Sequence, residues 1–110
     1  NWISDWIEVN DDGDDGGGDI KVTGGHIEMK ADASDIALYR EADLANALSA
    51  ILSFDITGHK LNNEDVFLLE ASIDGGVNYT PLASYTESDP SNFSENIELL
   101  NIFGSLSSNT

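Results

Sequence analysis

The sequence predicts an all-β chain folded as an antiparallel two-sheet β-sandwich. Two observations point to it. Short runs rich in β-branched and aromatic residues, several of them alternating, recur at close spacing. Glycine pairs and Asx-Gly steps punctuate them, as tight turns between strands require.

The elements follow in order. Residues 6–9 read as a first short strand. Residues 19–23 and 26–30 form a hairpin, because Gly24-Gly25 between them supplies a tight turn. Residues 36–40 make a further strand. Residues 41–48 have some helical character, but Asn46 and the strand that follows argue for a loop. The clearest strand is 49–56, Ser-Ala-Ile-Leu-Ser-Phe-Asp-Ile. Residues 65–73 and 78–84 form a second hairpin around Asp74-Gly75-Gly76. Residues 92–100 alternate weakly and read as the last strand, with a single helical turn over 100–103. No repeat of 20–50 residues is present.

At 110 residues the chain is expected to be one domain, 1–110, near the small end of independent stability. Hydrophobic residues make up 40%, so it is no disordered acidic tail. Acidic residues number 21 against four Lys and Arg, for a net charge of −17. Without a cationic footprint, nucleic acid is excluded as a partner and anionic membranes are disfavoured. No apolar stretch is long enough to insert into a bilayer as a helix. Cysteine is absent, so neither a disulfide nor a thiolate metal site is available. A small acidic extracellular domain then needs another staple, and calcium suits its oxygen ligands. Any targeting segment is expected to have been removed or to lie outside the chain.

The acid clusters. Residues 10–19 hold five Asp (Asp11, Asp12, Asp14, Asp15 and Asp19) and four Gly. Carboxylates this close repel without a cation, and glycine lets the backbone fold so that several oxygens converge. The spacing is neither that of an EF-hand nor a full Gly-Gly-x-Gly-x-Asp repeat, so a solvated acidic loop stands beside the calcium reading. Asn62-Asn63-Glu64-Asp65 offers oxygens for a metal, but a β-turn explains it without one. Arg40, the sole arginine, either faces a ligand or ties an acid such as Asp43, and the structural role is preferred. Trp2 and Tyr79 are candidate stacking platforms for sugar rings, with Tyr39 beside Arg40 as a further ligand-binding candidate.

Catalytic patterns are poor. His26 and His59 are not in metal-ligand spacing, and no nucleophile-elbow or phosphate-loop motif occurs. Plentiful acid pairs leave a glycosidase dyad open by residue type alone. Asn78-Tyr79-Thr80 and Asn92-Phe93-Ser94 match the N-glycosylation pattern, which matters only in a eukaryotic secretory pathway.

Several segments together carry a resemblance. Trp6-Ile7-Glu8 precedes the acidic loop and Gly18-Asp19-Ile20; then come Tyr39-Arg40-x-x-Asp43-Leu44, Leu52-Ser53-Phe54-Asp55, a strand begun by Asp65, and Ser72-x-Asp74-Gly75-Gly76-x-x-Tyr79-Thr80-x-Leu82. This resembles the jelly-roll domains, related to galactose-binding-like and MAM-like sandwiches, of large bacterial extracellular proteins. The resemblance implies a jelly roll, a structural calcium near the first strands with Glu8, Asp19 and Asp65 as candidate ligands, and carbohydrate or another protein domain as the partner. Such domains continue past a segment like 103–110 with further strands. The chain is therefore expected to be an incomplete unit whose last strands come from a strand-donating chain, or else to close by another topology. The expected function is a non-catalytic, calcium-stabilised accessory or adhesion module of a secreted or cell-surface protein. The alternatives are a carbohydrate-binding module attached to a polysaccharide-degrading enzyme, and one part of a strand-complemented two-chain assembly.

Overall fold

Alternation and glycine turns produce antiparallel pairs. The computed structural model describes residues 2–14, 16–30 and 35–110. Among them are eight strands and one short helix: β1 (Ile7–Val9), β2 (Ile20–Thr23), β3 (His26–Met29), β4 (Ala37–Tyr39), β5 (Ile51–Thr57), β6 (Phe67–Ala71), β7 (Thr80–Tyr85), β8 (Asn92–Glu98) and α1 (Leu99–Phe103). The protein is all-β and antiparallel. Its ladders are four two-stranded pairs, β1–β4, β2–β3, β5–β8 and β6–β7, where two broad sheets were expected. In β1–β4 and β2–β3, strands of three or four residues carry too few ladder bonds and too little apolar face to recruit a third neighbour.

Residues 2–41 and 42–110 form two compact units. The first holds β1–β4 and β2–β3. Gly24 and Gly25, both at positive φ (58° and 80°), turn β2 into β3 with Thr23 opposite His26. Two successive left-handed residues make this the turn whose twist matches paired strands. Ile20, fully buried, is the unit's anchor.

The second unit holds the longer strands. In β5, Leu52, Phe54 and Ile56 form the half-buried row, while Ser53, Asp55 and Thr57 face out. Their opposite numbers in β8 are Ile97, Glu95 and Phe93 inward, and Asn96, Ser94 and Asn92 outward. The outward row is stitched by side-chain bonds, Ser53 Oγ to Asn96 Oδ1 at 2.7 Å and Ser94 Oγ to Asp55 Oδ1 at 2.6 Å. In the other ladder, Leu69 faces Ala83 and Glu70 faces Pro81, so Leu82 is an extra residue and β7 bulges there. Pro81, which has no N–H to give a ladder, sits beside that irregularity. Tyr85 joins the two ladders: its ring lies 6.4 Å from Phe54, 5.9 Å from Phe67 and 4.8 Å from Phe93. At α1, Glu98 accepts from Leu100 N as N-cap and Gly104, at φ 75°, ends the turn. Thr110 exchanges both backbone hydrogen bonds with Ala42 (2.8 and 3.1 Å).

Candidate metal site and its surroundings

The acidic loop is built around Asp11. Its carboxylate accepts hydrogen bonds from the backbone N–H of Asp19 (2.9 Å) and of Ile20 (2.6 Å), so the loop returns to β2 along a path fixed by one side chain. These N–H groups, that of Asp19 foremost, hold the Asp11 carboxyl below the usual carboxylate range, with Lys30 assisting. Gly18, at φ 57°, passes so close that a Cβ there would overlap the Asp11 carboxylate, and one on Gly17 would lie 2.5 Å from an Asp12 oxygen. Gly18 is therefore required both by its left-handed φ and by close approach, while a side chain at Gly17 would push the Asp12 carboxylate aside.

Three carboxylates converge. Glu8, from the centre of β1, and Asp11 and Asp12, from the loop, present oxygens that all lie within 4.8 Å of one another. Oxygens around a calcium ion at 2.3–2.6 Å are at most about 5 Å apart, so the set is compatible with a hard divalent cation. All three donors are oxygens, with no histidine or thiolate to favour a softer metal. The hydrogen bonds already made, including Gly13 N to Glu8 Oε2 (3.0 Å), do not fill the oxygens, because each carboxylate oxygen has two lone pairs. Glu8 is half-buried, whereas its strand neighbours Ile7 and Val9 are exposed, so β1 turns its acid rather than its apolar residues inward.

The other predicted ligands lie outside this trio. Asp14 Oδ1 accepts from Gly16 N (3.0 Å) in a local turn. Asp19 forms an ion pair with Lys30 (3.3 Å) at the start of the hairpin. Asp15 lies outside the described residues. Asp65 belongs to the other unit, where its carboxylate accepts from Asn62 N (3.0 Å) and closes the turn 62–65.

The ligand-binding candidates divide likewise. Arg40 donates from Nε to the Ser4 carbonyl (2.9 Å), and its guanidinium carbon lies 4.8 Å from the Trp2 ring and 5.5 Å from the Trp6 ring. These contacts are with a carbonyl and two indoles, where an acid such as Asp43 was the expected partner. Trp2 remains 55% exposed, and its ring lies 6.2 Å from that of Trp6. Tyr39 is half-buried on β4, opposite Ile7. Tyr79 is in the other unit, exposed, with its hydroxyl against Gly76. His26 pairs with Glu28 on the exposed hairpin (3.1 Å), and His59 Nε2 lies 3.1 Å from the Asp89 carbonyl.

Two features escaped the sequence reading. Asp74 is the hub of the β6–β7 connection: it accepts from Ser72 Oγ (2.7 Å), Val77 N (3.1 Å), Asn78 N (2.9 Å) and Asn78 Nδ2 (2.7 Å). The Ser72 hydroxyl leads these donors in taking its pKa down to about 2. The Ser-x-Asp-Gly-Gly pattern is the available signal: in the sequence it marks a turn and a segment of the jelly-roll resemblance, but not the acceptor role of Asp74. The second is a cleft at Tyr85, Asp89 and Glu95, signalled by an acid standing in phase with Phe93 and Ile97. Compared with known protein families, curated proteins and solved structures, the chain matches none.

Proposed function

We propose that this chain is a non-catalytic accessory or adhesion module of a larger extracellular protein, similar to the jelly-roll modules, and that calcium stabilises its first unit. One observation carries the reading: Glu8, Asp11 and Asp12 bring their carboxylate oxygens within 4.8 Å of one another, on a loop where a Cβ at Gly17 or Gly18 would run into Asp12 or Asp11. A bound cation would neutralise the repulsion among these groups and lock β1 to the start of β2. Mass action then makes stability depend on calcium, by about 2.7 kcal/mol at a hundredfold excess over Kd. A net charge of −17 adds a general attraction for cations but no preference for this loop. Thermal melting in millimolar calcium and in chelator tests the proposal. The expected result is a rise in Tm that Glu8→Gln or Asp12→Asn abolishes. An unchanged Tm, or a rise that both variants retain, removes the calcium reading.

The carbohydrate reading has one observation in its favour, the exposed indole of Trp2 beside Trp6. Aromatic faces of this kind stack on pyranose C–H faces, and Arg40 would hold the ring in place. A glycan array with the wild-type chain and with Trp2→Ala and Tyr79→Ala decides it: binding lost on substitution supports a sugar-binding module, and a blank array leaves the structural role. A neighbouring domain or a strand-donating chain is the other proposed partner, tested by co-purification from the native source.

A further inference from the structure

The long strands of the second unit also stop at pairs. β5 has seven residues, and among the described residues β8 is its one ladder neighbour. Hydrogen-bonded and open positions alternate along an antiparallel ladder. Leu99 N donates to the Ala50 carbonyl (2.9 Å), which fixes the phase of that alternation. Leu52, Phe54 and Ile56 therefore exchange backbone bonds with β8. The N–H and C=O groups of Ile51, Ser53, Asp55 and Thr57 point the other way, off the free edge of the strand. Among the described residues no hydrogen bond takes up these groups, and all four residues are exposed. Ile51 is 61% exposed and Leu48, just before the strand, 98%, so the edge is apolar at its start. The inward row of Leu52, Phe54 and Ile56 is only half-buried. A ladder of two strands is marginal in water, and a third strand on this edge would extend that row.

Charge selects what can lie there. Residues 42–110 hold ten Asp and Glu against a single Lys. Asp55 stands exposed in the middle of the edge, with Ser94 Oγ donating to its Oδ1 (2.6 Å). A second copy of the chain would bring the same excess of acid against itself. We propose that the free edge of β5 receives an extended segment of a partner protein in which a Lys or Arg stands between two apolar residues. Paired to β5, the cation lies opposite Asp55 and the apolar residues lie opposite Phe54 and Ile56. Main-chain bonds to Ser53, Asp55 and Thr57 supply affinity, and the alternating side chains select the sequence. The inference rests on the strand-donating partner proposed above and gives it a place and a chemistry. It is independent of the calcium reading, whose residues lie in the first unit.

The probe is the blocked peptide Ser-Thr-Val-Lys-Val-Thr-Ser at millimolar concentration, added to the whole chain and read by amide hydrogen exchange. The amides of Ser53, Asp55 and Thr57 are open in the free chain and should become protected saturably, whereas those of Leu52, Phe54 and Ile56 are bonded to β8 throughout. Asp55→Asn keeps an acceptor for Ser94 and should weaken binding by up to about fivefold, the loss of one cross-strand charge pair. Glu70→Gln, on β6, should leave binding unchanged. An N-methyl group on the peptide's Lys amide keeps the charge and removes a ladder bond, so that peptide should leave the edge unprotected. The proposal is overturned by equal binding of the N-methylated peptide, by protection confined to other strands or by no protection at all. Protection in the free chain that grows with its own concentration also overturns it, because the edge then belongs to a second copy. Co-purification is a separate result: a partner that co-purifies while the peptide fails removes the edge alone, and a peptide that binds while no partner co-purifies supports the edge and removes the partner reading.

Discussion

Single side chains organise the two irregular loops. Asp74 gathers the connection 72–78 through four hydrogen bonds, and its ionised form is what those donors stabilise. Its folded pKa of about 2 lies below the ordinary 3.8, so its contribution is fully present above about pH 4 and is lost as pH falls through 2. Amide protection at Val77 and Asn78, taken relative to the intrinsic exchange rate at each pH, should therefore fall across that window, and Asp74→Ala should give the same loss of protection at pH 7. Protection that is unchanged between pH 4 and 2 would contradict this. Asp11 plays the equivalent part in the acidic loop, where Gly18 is its necessary neighbour. Gly18→Ala puts a Cβ into the carboxylate at a left-handed φ and should destabilise the loop by about 1–3 kcal/mol. Faster exchange of the Asp19 and Ile20 amides is the local readout.

Among the elements, β7 links the two ladders of the second unit. The bulge at Leu82 turns Leu82 and Ala83 into consecutive half-buried residues, and the strand then delivers Tyr85 into contact with Phe54, Phe67 and Phe93. Tyr85→Ala removes the only large side chain shared by both ladders' aromatic contacts and should cost about 3–5 kcal/mol in urea unfolding. Tyr85→Phe should cost far less, because the hydroxyl it removes has no hydrogen bond to lose. Equal losses in the two variants would mean that the hydroxyl, and not the ring, matters. The hairpin β2–β3 contrasts with this: its register is fixed by Gly24-Gly25 and by the Asp19–Lys30 pair, while all of β3 is exposed. Local turn chemistry shapes it more than burial does.

For the molecule as a whole, net charge decides the response to solvent. At −17, the acids outnumber Lys and Arg by about five to one, and only two ion pairs occur among the described residues. Compaction brings these charges together, so added salt should stabilise the fold by screening. Melting in sodium chloride should show Tm rising from about 0.01 M, where the Debye length is about 30 Å, and levelling off by about 1 M, where it is about 3 Å. A Tm that falls over this range would mean that ion pairs outweigh self-repulsion. Calcium measured on top of saturating sodium chloride isolates the contribution of the loop site from general screening.

The sequence by itself determined the strands, to within about two residues at most of their ends, and both turn glycine pairs, because side-chain alternation and left-handed glycines are local properties of the chain. It also marked the loop in which acids would gather. Partner choice was not written locally. That β5 pairs with β8 across 34 intervening residues, and that the ladders close as pairs, depends on which apolar rows find one another in space. The site shows the same division. Composition pointed to residues 10–19, but only the return of the chain past Asp11 places Glu8 with Asp11 and Asp12 and leaves Asp14, Asp19 and Asp65 in other bonds. Convergence of oxygens is a property of the folded path, because like charges come together only where backbone donors fix one of them in place.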